Sequence, residues 1–226
     1  MKTIASVVAT IITRVPFVEE GLAQGLINLS QLSRQIKPDI ENVLDKPVQI
    51  GAIVMALKRL APQIVAQSQH FNAILGQIQD ITIKSNLVSY TFDKSSSTHH
   101  ALDLLSQHKE LFTSHFFTYT QGISETCVMA DATFRILIEQ IFSEQHKVLE
   151  VLDISSMTIR LPASNVQMPG VYYAILKLFA WNNINLTDMV STANELTLLM
   201  EDRFIDSAFS LLKKHLRLIE QKAPKA

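Results

Sequence analysis

The chain has 226 residues, 47% of them hydrophobic and 18% charged, with a formal net charge of -1. This composition supplies a sizeable core and excludes extended disorder, and the near-zero charge argues against bulk nucleic acid or an anionic membrane as partner. The single cysteine, Cys127, excludes a disulfide framework and fits a reducing, cytoplasmic setting.

In chain order, Met1 to Thr13 opens with Lys2 and a short apolar stretch that Arg14 interrupts. The stretch is too short to span a bilayer and no small-residue cleavage site follows it, so neither an anchor nor a signal peptide is expected. Ile4, Val7, Val8, Ile11 and Ile12 fall at helical spacing and predict an amphipathic first helix. Pro16 opens a second helix. Asn28 or Ser30 caps a third, and Pro38 predicts a kink there or two short helices. Lys46-Pro47 is a turn, and Ile50 to Leu60 is a further helix.

Residues 1–65 thus form a helical unit whose Ser30 to Leu60 part has a helix-turn-helix shape. Arg34, Lys58 and Arg59 are its candidate DNA contacts. Lys58 and Arg59 lie near the C-terminal end of the second helix, whereas groove-reading residues cluster toward the N-terminal end. Residues 1–65 carry seven basic against five acidic side chains, a weak electrostatic footprint. A small helical packing or dimerisation unit with that shape is the leading reading, and DNA contact the second.

Residues 66–79 belong to a connecting helix that begins at Pro62. Asp80 to Phe92 alternates as a strand, and the polar run Asp93 to Thr98 precedes a helix from Thr98 to Glu110. Phe116 to Tyr119 and Glu125 to Ala130 form a strand pair, and Phe134 to Phe142 a helix. Residues 143–152 add a strand or extend that helix. Ser155 to Leu161 alternates again, with Met157, Ile159 and Leu161 on one face. Pro169-Gly170 opens a helix over Val171 to Trp181, which Asn182-Asn183 stops. Ile184, Leu186 and Val190 resume a strand, Leu196 to Met200 is the next, and Phe204, Ala208, Leu211 and Leu212 stripe a last helix.

That β-α-β-β-α run suits a split ferredoxin-like unit with helices on one face of an antiparallel sheet. The pattern occurs twice. A shift of 70 residues sets Glu125 on Glu195, Asp131 on Glu201 and Phe134 on Phe204, and upstream it sets Leu87 on Met157, Leu105 on Ile175 and Phe117 on Thr187. The expected organisation is a helical domain at 1–65, a connecting helix at 66–79, repeats at 80–147 and 148–220, and a tail at 221–226.

Pro169-Gly170-Val171, the helix after it, Ile184-Asn185 and the alternating run into Glu201 resemble an ACT domain, most closely the tandem regulatory ACT domains of aspartokinases. The resemblance covers about 60 residues of the second repeat and extends to the first by pattern. It implies an α+β fold with two ferredoxin-like ACT repeats after the helical domain, a non-catalytic regulatory role without the kinase half, and homodimerisation through the repeats. It also implies that a free amino acid binds near the Pro-Gly loop. Carried over residue by residue, the candidates are Asn165, Gln167, Met168, Pro169, Gly170, Val171, Asn183, Ile184 and Asn185.

The residues themselves favour the same place. Gly170 lets backbone approach a ligand, a helix start offers free N–H groups to a carboxylate, and Asp188 suits an ammonium. The loop from Asn165 to Val171 is expected to face Asn183 to Asp188. The first repeat carries His99-His100 where the second has Pro169-Gly170, and its serine-rich loop has no glycine, which argues against a ligand there. No glycine-rich phosphate loop or metal-ligand spacing occurs, so no cofactor and no metal are expected. The alternatives are a ligand-responsive DNA-binding regulator and a regulatory subunit of an aspartokinase-type enzyme.

Overall fold

The structure is a computed structural model that describes residues 2–78, 80–113 and 115–222. It divides into two compact units, Met1–Ala73 and Ile74–Ala226. The first is helical: α1 (Ile4–Thr13), α2 (Pro16–Ala23), α3 (Leu29–Leu44) and α4 (Ile50–Leu75), the last running past the unit boundary. Thr3 and Ser6 form a capping box on α1, and the Asn28 side chain accepts the Gln31 N–H at 3.0 Å to start α3. Val8, Ile12, Ile36, Ile40, Ile53 and Leu57 make the unit's core. Asp45 ends α3 in the left-handed region at φ 51°, and Glu41 accepts the Val48 N–H at 2.7 Å, which fixes the turn into α4.

Two expected breaks do not occur. α3 continues through Pro38, and α4 runs through Pro62, so the helix expected at Ile50 to Leu60 and the connecting helix are one. Both prolines are exposed, as are Arg34 and Lys58, whose carbonyls lose a helical partner; water can satisfy them while the buried stripes continue. The boundary expected after residue 65 therefore falls inside a helix, and the compact units divide at 73/74 instead.

The second unit contains β1 (Ile81–Asp93), α5 (Ser96–Ser106), α6 (Glu110–Thr113), β2 (Phe117–Gln121), β3 (Glu125–Asp131) and α7 (Arg135–Ile141). β4 (Lys147–Arg160), α8 (Val171–Ala180), β5 (Asp188–Ser191), β6 (Glu195–Glu201) and α9 (Ile205–Lys222) follow. The single helix expected from Thr98 to Glu110 is two, α5 and α6. Residues 147–152 merge with the strand predicted after them into β4.

The six strands lie in the order β2-β3-β1-β4-β6-β5, every pair antiparallel. β1 pairs with β3 only through Leu87–Asp93, and β4 pairs with β6 only through Ile154–Arg160, while the two long strands pair with each other along their length. Each long strand thus lends one half to each repeat, so a boundary at 147/148 separates strands that both repeats use. The register also corrects the upstream alignment. Leu87 stands opposite Asp131 and Ile154 opposite Glu201, so Leu87 corresponds to Ile154 and not to Met157.

Strand alternation sorts the core into layers. Val88, Tyr90, Phe92, Val128 and Ala130 pack with Leu105 of α5 and Ile138 of α7. Met157, Ile159, Leu196, Leu198 and Met200 pack with Val171, Ile175 and Phe179 of α8 and with Leu212 of α9. The opposite face carries a smaller cluster of Leu87, Met129, Ile154 and Leu199. On that face the Cys127 thiol of β3 approaches Asp188 Oδ2 of β5 at 3.7 Å, so the two halves of the sheet curl toward each other. This is an ACT-like α+β fold, with helices covering one face of a curled antiparallel sheet.

Candidate functional site

Gly170 sits at φ 92°, where a side chain is strained, and it is the residue from which α8 starts. Gly170, the residue at the N-cap, has no side chain with which to cap α8. Ala174 closes the first helical bond to the Gly170 carbonyl at 3.0 Å. Beside this start, Gln167 and Pro169 are exposed and Met168 is half-buried against the core, while Val171 is buried.

The corresponding helix start in the first repeat is filled. Ser95 accepts the Thr98 N–H at 3.0 Å, Thr98 Oγ1 donates to the Asp93 carbonyl at 2.7 Å, and Ser97 donates to Gln145 at 2.7 Å. The serine-rich loop is therefore a self-contained cap. His99 and His100 lie exposed on α5, and the Gln121 amide donates to His99 Nε2 at 2.9 Å.

Asn165 is buried and occupied. Its amide donates to the Pro162 carbonyl at 3.0 Å and to the Ala193 carbonyl at 2.8 Å, fastening the 3-10 turn Ala163–Gln167 to the β5–β6 hairpin. The Leu161 N–H donates to the Asn194 carbonyl at 2.7 Å in the same seam.

The second group of candidates lies elsewhere. Asn183 takes φ 54° just past α8, and the Ile184 N–H donates back to the Phe179 carbonyl at 3.1 Å, a Schellman-type stop that sends Ile184 into the core. Ile184 is thus a helix-stop residue, and β5 begins only at Asp188. Asn185 is exposed. Asp188 accepts its neighbour Met189 N–H at 2.6 Å and faces Cys127.

The loop and these residues flank opposite ends of a ten-residue helix, which separates them by about 15 Å. Sheet register agrees: Asp188 is level with Ser156, whereas the loop follows Arg160. The expectation that Asn165 to Val171 faces Asn183 to Asp188 therefore does not hold within one chain, because the strand leaves the helix at its far end and returns toward the loop only at Ser191.

The proposed DNA contacts Arg34, Lys58 and Arg59 are all exposed. Among the described residues no His, Cys, Asp and Glu side chains gather as metal ligands, and no helix is long and apolar enough to cross a membrane. The feature of the site that sequence reasoning missed is the bond from Asn165 to the Ala193 carbonyl.

No family model and no curated protein matches the sequence. Solved structures do match in fold. A structure of the aspartokinase alpha and beta subunits aligns with 62% of this chain and 99% of its own, at 12% identity and a TM-score of 0.51. The ligand-free regulatory subunit of aspartate kinase from Thermus thermophilus aligns with 61% of this chain and 98% of its own, at 8% identity and a TM-score of 0.51. Aspartate kinase from Clostridium acetobutylicum aligns over 62% of this chain but 35% of its own, at 12% identity and a TM-score of 0.51. A share of this size exceeds the helical unit Met1–Ala73, so the alignment takes in the sheet unit. The chain shares the fold of aspartokinase regulatory subunits.

Proposed function

We propose that this protein is a non-catalytic regulatory module that binds a free amino acid at the start of α8, with Gln167, Met168, Pro169, Gly170 and Val171 around the ligand. The observation that carries the reading is the contrast between the repeats: hydroxyl side chains close the α5 start, whereas α8 starts from a glycine, which has no side chain to cap it. A carboxylate accepts from those N–H groups and meets the positive end of the helix dipole. The fold shared with aspartokinase regulatory subunits supports a regulatory role.

Asn183, Asn185 and Asp188 reach the same ligand only from a second copy, which makes a homodimer part of this reading. Ligand that prefers one packing of the repeats shifts the population toward it, and that shift is the output. The partner that reads it is an aspartokinase-type enzyme for which this chain serves as a separate regulatory subunit.

A thermal-shift screen of the purified protein against the twenty amino acids tests the reading. A binder at 100 times its dissociation constant adds about 2.7 kcal/mol of stability. Gly170→Asp should abolish the shift, because Asp tolerates the left-handed backbone and sets its own carboxylate at the helix start. No shift with any amino acid, or a shift unchanged in this variant, overturns it.

A second reading, a ligand-responsive DNA-binding regulator, is favoured by the firm turn between α3 and α4 and by the exposure of Arg34 and Arg59. Salt-dependent binding to duplex DNA, weakened in Arg34→Ala and Arg59→Ala, would support it.

A further inference from the structure

We propose that the helical unit holds a second ligand site, a groove for a small aliphatic monocarboxylate between α2, the α2–α3 loop and the middle of α4. The groove measures about 560 Å³ and is lined by Leu22, Ile27, Leu29, Lys58, Ala61 and Val65, among others. That size falls within the roughly 300–1,000 Å³ of small-molecule clefts, which likewise combine apolar walls with very few polar groups.

Leu22 is buried at the floor, while Ile27, Leu29, Ala61 and Val65 stay partly open to water. Lys58 is the one charged residue in the lining, and no carboxylate forms a salt bridge with it among the described residues. An apolar body with a single negative head satisfies both features; a cationic or polar occupant satisfies neither. Along α4 the lining runs from Lys58 to Val65. That is two turns, or about 11 Å, which suits a chain of roughly six to ten carbons.

The test uses the full chain and methyl NMR, with straight-chain carboxylates from hexanoate to decanoate as probes. Octanol and octyltrimethylammonium serve as head-group controls. Shifts should concentrate on Leu22, Ile27, Leu29 and Val65, and affinity should rise about fourfold per added methylene. Because Lys58 is exposed, Lys58→Gln should weaken octanoate only about two- to fivefold and leave octanol unchanged, and as a surface change it leaves the fold intact. Ala61→Trp should remove binding of both. Gly170→Asp should leave both untouched, which separates this site from the α8 start.

Absence of shifts at those four residues overturns the proposal. So does octyltrimethylammonium binding as tightly as octanoate. Groove resonances that instead move with protein concentration would mean that a second copy covers the face, which also overturns it.

Discussion

Leu87 and Ile154 stand directly opposite each other on β1 and β4, and each is preceded by a residue in the left-handed region, Asn86 at φ 61° and Asp153 at φ 52°. On one side of this pair β1 holds an extra residue, and on the other β4 does. Two bulges, one per strand, thus flank the point about which the repeats are related. Bulges sharpen twist and bend a strand, and here they let two long strands serve two half-sheets that curl toward each other.

Asn86 and Asp153 are exposed, so their backbone conformation can be tested without disturbing packing. Asn86→Gly and Asp153→Gly should leave stability unchanged or raise it slightly. Asn86→Val should lower it by about 1–2 kcal/mol, because a branched side chain is strained at positive φ. Urea midpoints at constant m-value check this; an unchanged midpoint for Asn86→Val would place that residue outside the left-handed region.

Alanine substitution should weaken both helix starts, each for a different reason. Ser95→Ala removes the α5 cap and should cost about 1 kcal/mol. Gly170→Ala forces a side chain into positive φ and should cost about 1–2 kcal/mol without any cap being lost. Thermal denaturation of both variants, with and without ligand, checks the pair.

Asn165→Ala leaves the Ala193 carbonyl without its donor, while the Pro162 carbonyl keeps the backbone N–H of residue 165, and the expected loss is about 1–3 kcal/mol. Hydrogen exchange should accelerate in residues 162–171 and in the β5–β6 hairpin together. Acceleration of the loop alone would contradict the seam described for it.

Stability should depend on pH through Tyr90 and Glu139. Burial pushes the Tyr90 phenol above its ordinary value, and the Glu139 carboxylate that accepts its hydrogen bond at 2.8 Å adds to the rise. Stability from this group is complete below about pH 10, the unfolded value, and is lost as pH climbs toward the folded one. The hydrogen bond from Arg135, followed by that from Tyr90, lowers Glu139. Its contribution is present above about pH 4.3 and is lost as pH falls through the folded value. In Tyr90→Phe, urea midpoints measured across pH should decline less steeply above pH 10.

Much of the fold was legible in the chain because its strands alternate cleanly. Met157, Ile159 and Leu161 are all buried on the helix-covered face, as their spacing requires. The bulges were not legible, since Asn86 and Asp153 read as ordinary polar positions, and the first strands were misaligned by three residues because Ile154 and Glu201 are 47 positions apart whereas Leu87 and Asp131 are 44 apart. Pro38 and Pro62 read as breaks because the sequence does not show which side of a helix faces water.

For the site, Gly170 was legible from Pro169-Gly170 before an apolar helix. The fastening role of Asn165 was not, because its partner Ala193 is distant in sequence. Ile184 read as a strand residue because a Schellman stop and a strand both bury an apolar residue after a polar pair.

We propose that a carboxylate binds the backbone at the start of α8. Titrating amino acids into ¹⁵N-labelled protein and following the amides of Val171, Tyr172 and Tyr173 tests it most directly. One amino acid should move these three amides in a saturable way, while Ser97 and Thr98 in the capped first repeat stay in place, and Gly170→Asp should abolish the response. Saturable binding that leaves these amides unmoved, or moves those of α5 instead, would contradict it.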